Sequence, residues 1–164
     1  MYDVALRELP ERTLLCLKRN VAGEQGLWAF GKEFIALLRE RPLPHVPGRA
    51  GAVFPIYHGE VNDDSDGPVE WCRPIPESQA SELAARFLEL TLRTEPAHAE
   101  GAFVPLGTGE VGATQWQVIS STLDAWASEQ HRRPSELGIR LTYLAEPPRT
   151  AGSRPDVDFA IPLQ

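Results

Sequence analysis

Val69-Glu70-Trp71-Cys72-Arg73-Pro74-Ile75 returns 88 positions on as Val157-Asp158-Phe159-Ala160-Ile161-Pro162-Leu163. Both stretches read as a strand with a carboxylate at its second position and an aromatic ring at its third. Three further echoes keep the same order and nearly the same spacing. Leu6-Arg7-Glu8-Leu9-Pro10 matches Leu92-Arg93-Thr94-Glu95-Pro96, 86 on, and Tyr57-His58-Gly59-Glu60 matches Tyr143-Leu144-Ala145-Glu146, also 86 on. Trp28 matches Trp116, 88 on. Each match alone is weak, but four at nearly constant offset point to an internal duplication.

Within each half the hydrophobic period alternates between strand and helix. Tyr2 to Leu9 and Thr13 to Val21 are short extended runs separated by Pro10-Glu11-Arg12. Gly23 to Arg41 places Leu27, Phe30, Phe34 and Leu38 at helical spacing and stops before Pro42-Leu43-Pro44. Strands are then expected over Ala52 to His58 and Val69 to Ile75, with a polar turn at Asn62 to Gly67. The second half repeats the order: strands over Leu88 to Arg93 and Ala102 to Leu106, a helix over Val111 to Gln130, then strands over Ile139 to Leu144 and Val157 to Leu163. Ser78 to Leu88 joins the halves and has helical propensity. The expected fold is a single α+β domain over 1–164, a tandem duplication of a strand–helix–strand–strand unit. Its antiparallel sheet carries two main helices with pseudo-twofold symmetry. Repeat one is 1–78, the linker 79–86 and repeat two 87–164.

Composition bounds the function. The 164 residues suffice for one core without disulfides or metal, burying about 70% of the unfolded chain's surface. Sixteen Lys and Arg against 23 Asp and Glu give a net charge of −7, which repels phosphate backbones and anionic lipid. The only basic cluster, His131-Arg132-Arg133, is too short for a nucleic-acid footprint. No run approaches the ~20 consecutive apolar residues of a membrane span, and the charged opening Met1-Tyr2-Asp3 does not read as a signal peptide. Cys16 and Cys72 are far apart in sequence, each inside an apolar stretch, and read as two buried thiols. A cytoplasmic protein is expected, with no direct nucleic-acid contact and no membrane contact.

Two motifs fail on context. Gly107-Thr108-Gly109-Glu110-Val111-Gly112 has dinucleotide-loop spacing, but no parallel strand follows and the acidic residues about 20 on lie in the same helix. Asn62-Asp63-Asp64-Ser65-Asp66-Gly67 resembles the start of a calcium loop, yet Arg73 stands where the bidentate Glu belongs. The four histidines show no HxH or HExxH spacing and there is no CxxC, so neither metal nor cofactor is expected.

What remains is a set of aromatic rings and carboxylates placed twice. Trp28, Phe54, Tyr57, Trp71, Trp116 and Tyr143 are candidate walls of a cleft, because flat rings lose little entropy on binding and their faces attract cations. Glu70 and Asp158 are its candidate charges. A carboxylate in an apolar strand costs several kcal/mol if buried unpaired. It either faces water, with Cys72, on the side of the sheet away from Val69, Trp71 and Arg73, or waits for a cation.

At these residues the chain resembles a known family, the GyrI-like small-molecule-binding domains. These are effector-binding domains of MerR- and AraC-type transcription regulators and also occur free-standing. The similarity rests on Tyr2-Asp3-Val4-Ala5-Leu6-Arg7-Glu8-Leu9-Pro10, on His58-Gly59-Glu60-Val61 with Asp66-Gly67-Pro68-Val69-Glu70 and Pro74-Ile75, and on Ile161-Pro162-Leu163. It covers essentially the whole chain. The resemblance implies a cleft between the repeats that holds lipophilic, cationic aromatic compounds beside a Glu, for drug or metabolite sensing or sequestration. Glu70 matches the acidic position of the first half. Many members carry another Glu two residues before the Tyr of the second half, where this chain has Leu141. The family also includes hydrolases that open cyclopropane-bearing compounds with a pocket Glu and Tyr, here Glu70 and Tyr143 (or Tyr57), and inhibitors that bind a protein partner such as gyrase. In the hydrolase reading, desolvation raises the pKa of Glu70 and suits it to acid–base work. Regulators place a helix-turn-helix before this domain. The chain opens directly in its first strand, so it is read as free-standing or as a piece of a regulator.

Overall fold

The computed structural model describes residues 4–59, 61, 65–103, 113–143 and 157–164. Its elements, in chain order, are β1 (Ala5–Leu9), β2 (Arg12–Ala22), α1 (Gly23–Arg39), β3 (Phe54–Tyr57), β4 (Asp66–Ile75), α2 (Ala80–Arg86), β5 (Thr91–Glu95), β6 (His98–Phe103), α3 (Ala113–Glu129), β7 (Ile139–Tyr143) and β8 (Val157–Leu163). This is an α+β fold with eight strands and three α-helices among the described residues. The third helix, α2, is the short segment joining the expected repeats.

Two compact units emerge. One is residues 11–96, with strand order β3-β4-β2-β5, and the other is residues 1–10 with 97–164, with strand order β1-β6-β8-β7. Every pairing within each unit is antiparallel. The first strand of the chain therefore pairs with β6, across Ala5↔Ala102 to Leu9↔His98, while β5 pairs with β2.

In the 11–96 unit, β2 is central. Leu14, Leu15 and Cys16 are consecutive and all buried, as a strand covered on both faces requires. Phe30, Phe34 and Leu38 recur every four residues along α1 and are buried, which lays one stripe of the helix on the sheet. Arg39 stands in its last turn, near the negative end of the helix dipole. The expected extension to Arg41 is absent because Pro42 disfavours helical backbone before it.

β4 starts at Asp66, three residues earlier than expected, inside what reads as a turn. Its partner explains this. β2 runs eleven residues and pairs with β4 from Thr13↔Ile75 to Ala22↔Asp66, carrying Gly67 and Pro68 into the ladder. The Pro68 carbonyl faces β3 and accepts from the His58 backbone N–H at 3.0 Å. β3 ends at Tyr57, so the N–H that proline lacks is not needed there.

In the other unit, Leu123 and Ala127 of α3 are buried, and so are Leu141, Phe159, Ile161 and Leu163 of the sheet. Among the described residues, no helix is long and apolar enough to cross a membrane.

Candidate functional site

Alternation along β4 sends Val69 and Trp71 to the α1 side, where Trp71 stacks on Phe34 with ring centroids 5.8 Å apart. Glu70 and Cys72 point to the opposite face. The register sets Cys16 and Phe54 beside Cys72, and Lys18 and Ile56 beside Glu70. This face is not open to water, as one reading of the sequence had it. Glu70 keeps 7% of its surface exposed and Cys72 none.

The carboxylate is instead neutralised from within. Arg93 Nε donates to Glu70 Oε2 at 2.9 Å and Nη2 donates to Oε1 at 2.8 Å, a bidentate clasp. His58 Nε2 lies 3.0 Å from the same Oε1. Arg93 reaches Glu70 from β5, across the whole width of β2, a span of about 10 Å between strand axes that suits a long side chain. Beside this group Arg12 Nη2 donates to the buried Glu95 Oε1 at 2.6 Å, and its guanidinium lies over the Phe54 ring at 4.6 Å.

These contacts set the protonation states. Burial alone pushes Glu70 up, but the hydrogen bonds and charges of Arg93 and His58 outweigh it, and the carboxyl ends below its ordinary value of 4.5. That overturns the expectation of a raised pKa. Desolvation acts as expected, but the sequence did not reveal the arginine that reverses it. Burial works against the charge of Arg93, yet the Glu70 hydrogen bond carries its pKa upward. Cys72 is pushed well up, by burial first and then by Cys16.

The other candidates divide by face and by unit. Phe54 is fully buried in β3, on the Glu70 side. Tyr57 closes β3 opposite Val69, on the register of the α1 side. Trp71 is core beneath α1, and Trp28, also on α1, is 65% exposed. Trp116 belongs to α3, Tyr143 to β7 and Asp158 to β8, where Asp158 stands opposite Thr142. The side chains of these three lie outside the described residues, as do the glycine-rich stretch 107–112 and residues 62–64 of the acidic turn.

Sequence reading missed four contributors: Arg93, His58, the Arg12–Glu95 pair, and the contact of the two cysteines. Cys16 and Cys72 are free thiols whose sulfurs stand 3.5 Å apart. Nothing in their sequence separation signals this. The only hint was that each sits in the middle of an apolar strand.

Neither a family model nor a curated protein matches the sequence. The likeness is to solved structures, and it is one of fold. The C-terminal domain of EcmrR superposes with a TM-score of 0.71 at 12% identity, over 100% of this chain and 98% of that one. SAV2435 bound to tetraphenylphosphonium superposes at 0.60 with 13% identity, over 99% and 94%. A hydrolase from Listeria innocua superposes at 0.60 with 10% identity, over 99% and 92%. In the EcmrR–DNA complex the match covers 99% of this chain but only 57% of the EcmrR chain, so this chain spans little more than half its length. The protein has the fold of the GyrI-like domains that its sequence resembles.

Proposed function

We propose that this protein is a ligand-binding module for lipophilic, cationic aromatic small molecules, which it senses or sequesters in the cytoplasm. The observation that carries the reading is Glu70, an ionised carboxylate held on the buried face of the sheet beside Phe54. A GyrI-like fold with tetraphenylphosphonium bound in SAV2435 supports the same ligand class. Arg93 and His58 keep side-chain exposures of 29% and 23%, so the carboxylate is approached from their side. The net charge of −7 favours cations over nucleic acid, and the module acts without direct DNA contact. We also read β2-α1-β3-β4 and β6-α3-β7-β8 as copies of one ancestral unit, with which their common strand order agrees.

Titration with tetraphenylphosphonium and with uncharged triphenylphosphine oxide, followed by Trp fluorescence, tests the reading. Because Arg93 already occupies both oxygens, a ligand cation shares Glu70 rather than capturing it. Its contribution falls at the low end for a charge-assisted contact, about 1 kcal/mol or roughly fivefold in affinity. Glu70→Gln is expected to weaken the cation by that factor and leave the neutral compound unchanged. Equal losses for both, or binding of neither by the unaltered protein, overturns the proposal.

The superposed Listeria hydrolase supports a second reading, in which the same site opens strained electrophiles. Here Glu70 enters as a carboxylate base, since Arg93 and His58 keep the proton off it. Incubation with a cyclopropane-bearing alkylator separates the two. Ligand recovered intact supports binding, and turnover lost in both Glu70→Gln and Tyr143→Phe establishes hydrolysis.

A further inference from the structure

Cys16 Sγ, Cys72 Sγ and a Glu70 carboxylate oxygen all lie within 4.8 Å of one another on the buried face of β2 and β4. We propose that these three side chains form a binding site for a tetrahedral, thiophilic divalent ion, of which zinc is the physiological member.

The gap between the sulfurs selects the geometry. Two zinc–sulfur bonds of about 2.3 Å subtend the observed 3.5 Å separation at about 100°, and a full tetrahedral angle needs only ~0.3 Å more. A linear two-coordinate ion instead requires sulfurs about 4.6 Å apart, twice the same bond length, and the paired strands would have to part to provide it. The donor set excludes the hard ions, because calcium and magnesium are held by oxygen alone.

Charge is the second argument. A thiol binds a metal as its thiolate, so ligation by both cysteines releases two protons, and the Glu70 carboxylate is already balanced by Arg93. Exchanging two thiol protons for one divalent ion leaves the net charge of this face unchanged. A monovalent soft ion in the same exchange leaves one buried negative charge without a partner, which is costly. Glu70 is the third ligand: a carboxylate offers about four lone-pair sites, and Arg93 and His58 take three, which leaves one for the ion. The His58 contact supplies the outer hydrogen bond that orients a ligating carboxylate, and the fourth position stays open.

The test uses the full chain, reduced and free of oxygen, with Co²⁺ as the spectroscopic substitute. Expected are one Co²⁺ per chain, a sulfur-to-cobalt charge-transfer band with tetrahedral ligand-field bands, release of two protons per ion, and displacement by Zn²⁺. Cys16→Ala and Cys72→Ala each abolish the charge-transfer band and weaken the ion by at least about 100-fold, since loss of outer-shell partners alone costs 10–100-fold. If those variants fail to fold, Zn²⁺ still has to slow alkylation of both cysteines in the unaltered protein. Octahedral Co²⁺ without a thiolate band, an unchanged alkylation rate, or equal affinity in the folded alanine variants overturns the site.

Discussion

The two units close their helices onto their sheets by opposite means. In the 11–96 unit the glycine is on the helix and the tryptophan on the strand: a Cβ on Gly31 of α1 would stand 2.9 Å from the ring of Trp71 in β4. In the other unit the glycine is on the strand and the tryptophan on the helix, and a Cβ on Gly101 of β6 would stand 2.2 Å from the ring of Trp126 in α3. The contact needs one bulky partner and one bare one, and either side can supply the bulk. Counting tryptophans along the sequence therefore cannot separate core from cleft. The polar faces differ as well. In the 11–96 unit, Glu70 and Glu95 each have an arginine. In the other, Glu100 is 2% exposed, its Oε2 has no hydrogen bond among the described residues, and His98 is 3.6 Å away.

The largest expected effect tests the polar half of this contrast. Arg12→Ala removes the ion pair of the fully buried Glu95 and should cost about 3–5 kcal/mol, read as a fall in Tm of roughly 6–20 °C for a domain of this size. Glu100→Gln should cost less than about 0.5 kcal/mol, because it removes a charge whose hydrogen bonding is already incomplete. Equal losses in the two variants would erase the difference between the units.

Next come the glycines, measured by urea unfolding. Gly101→Ala should destabilise by about 2–3 kcal/mol, the upper range for overpacking, since the new methyl meets a ring seated in a helix–sheet seam. Gly31→Ala should cost about 1 kcal/mol or less, because the helix propensity gained by alanine offsets much of the closer contact. A reversed order would show that Trp126 moves aside more readily than Trp71.

The smallest effect is one of pH. Glu70 has a folded pKa below 4.5, so the stability from its pair is complete above pH 4.5 and drains away as the pH falls below it through the folded value. Glu70→Gln should flatten that part of the stability curve and leave the neutral region parallel to the unaltered protein.

Much of the frame was legible. Phe30, Phe34 and Leu38 announced α1, and the alternation through Val69 to Ile75 announced β4, because both periods are local. What lies beside what was not. Arg93 meets Glu70 only because β5 sits on the far side of β2, a neighbourhood decided by pairing between residues 75 to 83 positions apart. Glu70 stood out as a carboxylate in an apolar strand, the part of the problem that composition reveals. Whether it was solvated, waiting for a cation or already neutralised depended on that distant arginine. The same pairing logic joined two cysteines that the sequence holds 56 residues apart.

The pairing of β1 with β6 has a consequence during synthesis. As the chain leaves the ribosome, β2, β3, β4 and β5 have all emerged once Glu95 is out, and their ladders form among neighbours. β1 is released first but has no partner until Phe103 follows. Until then it is an exposed hydrogen-bonding edge, which makes it the segment most open to capture by chaperones or by another nascent copy. Slow codons within 11–96 would prolong that exposure.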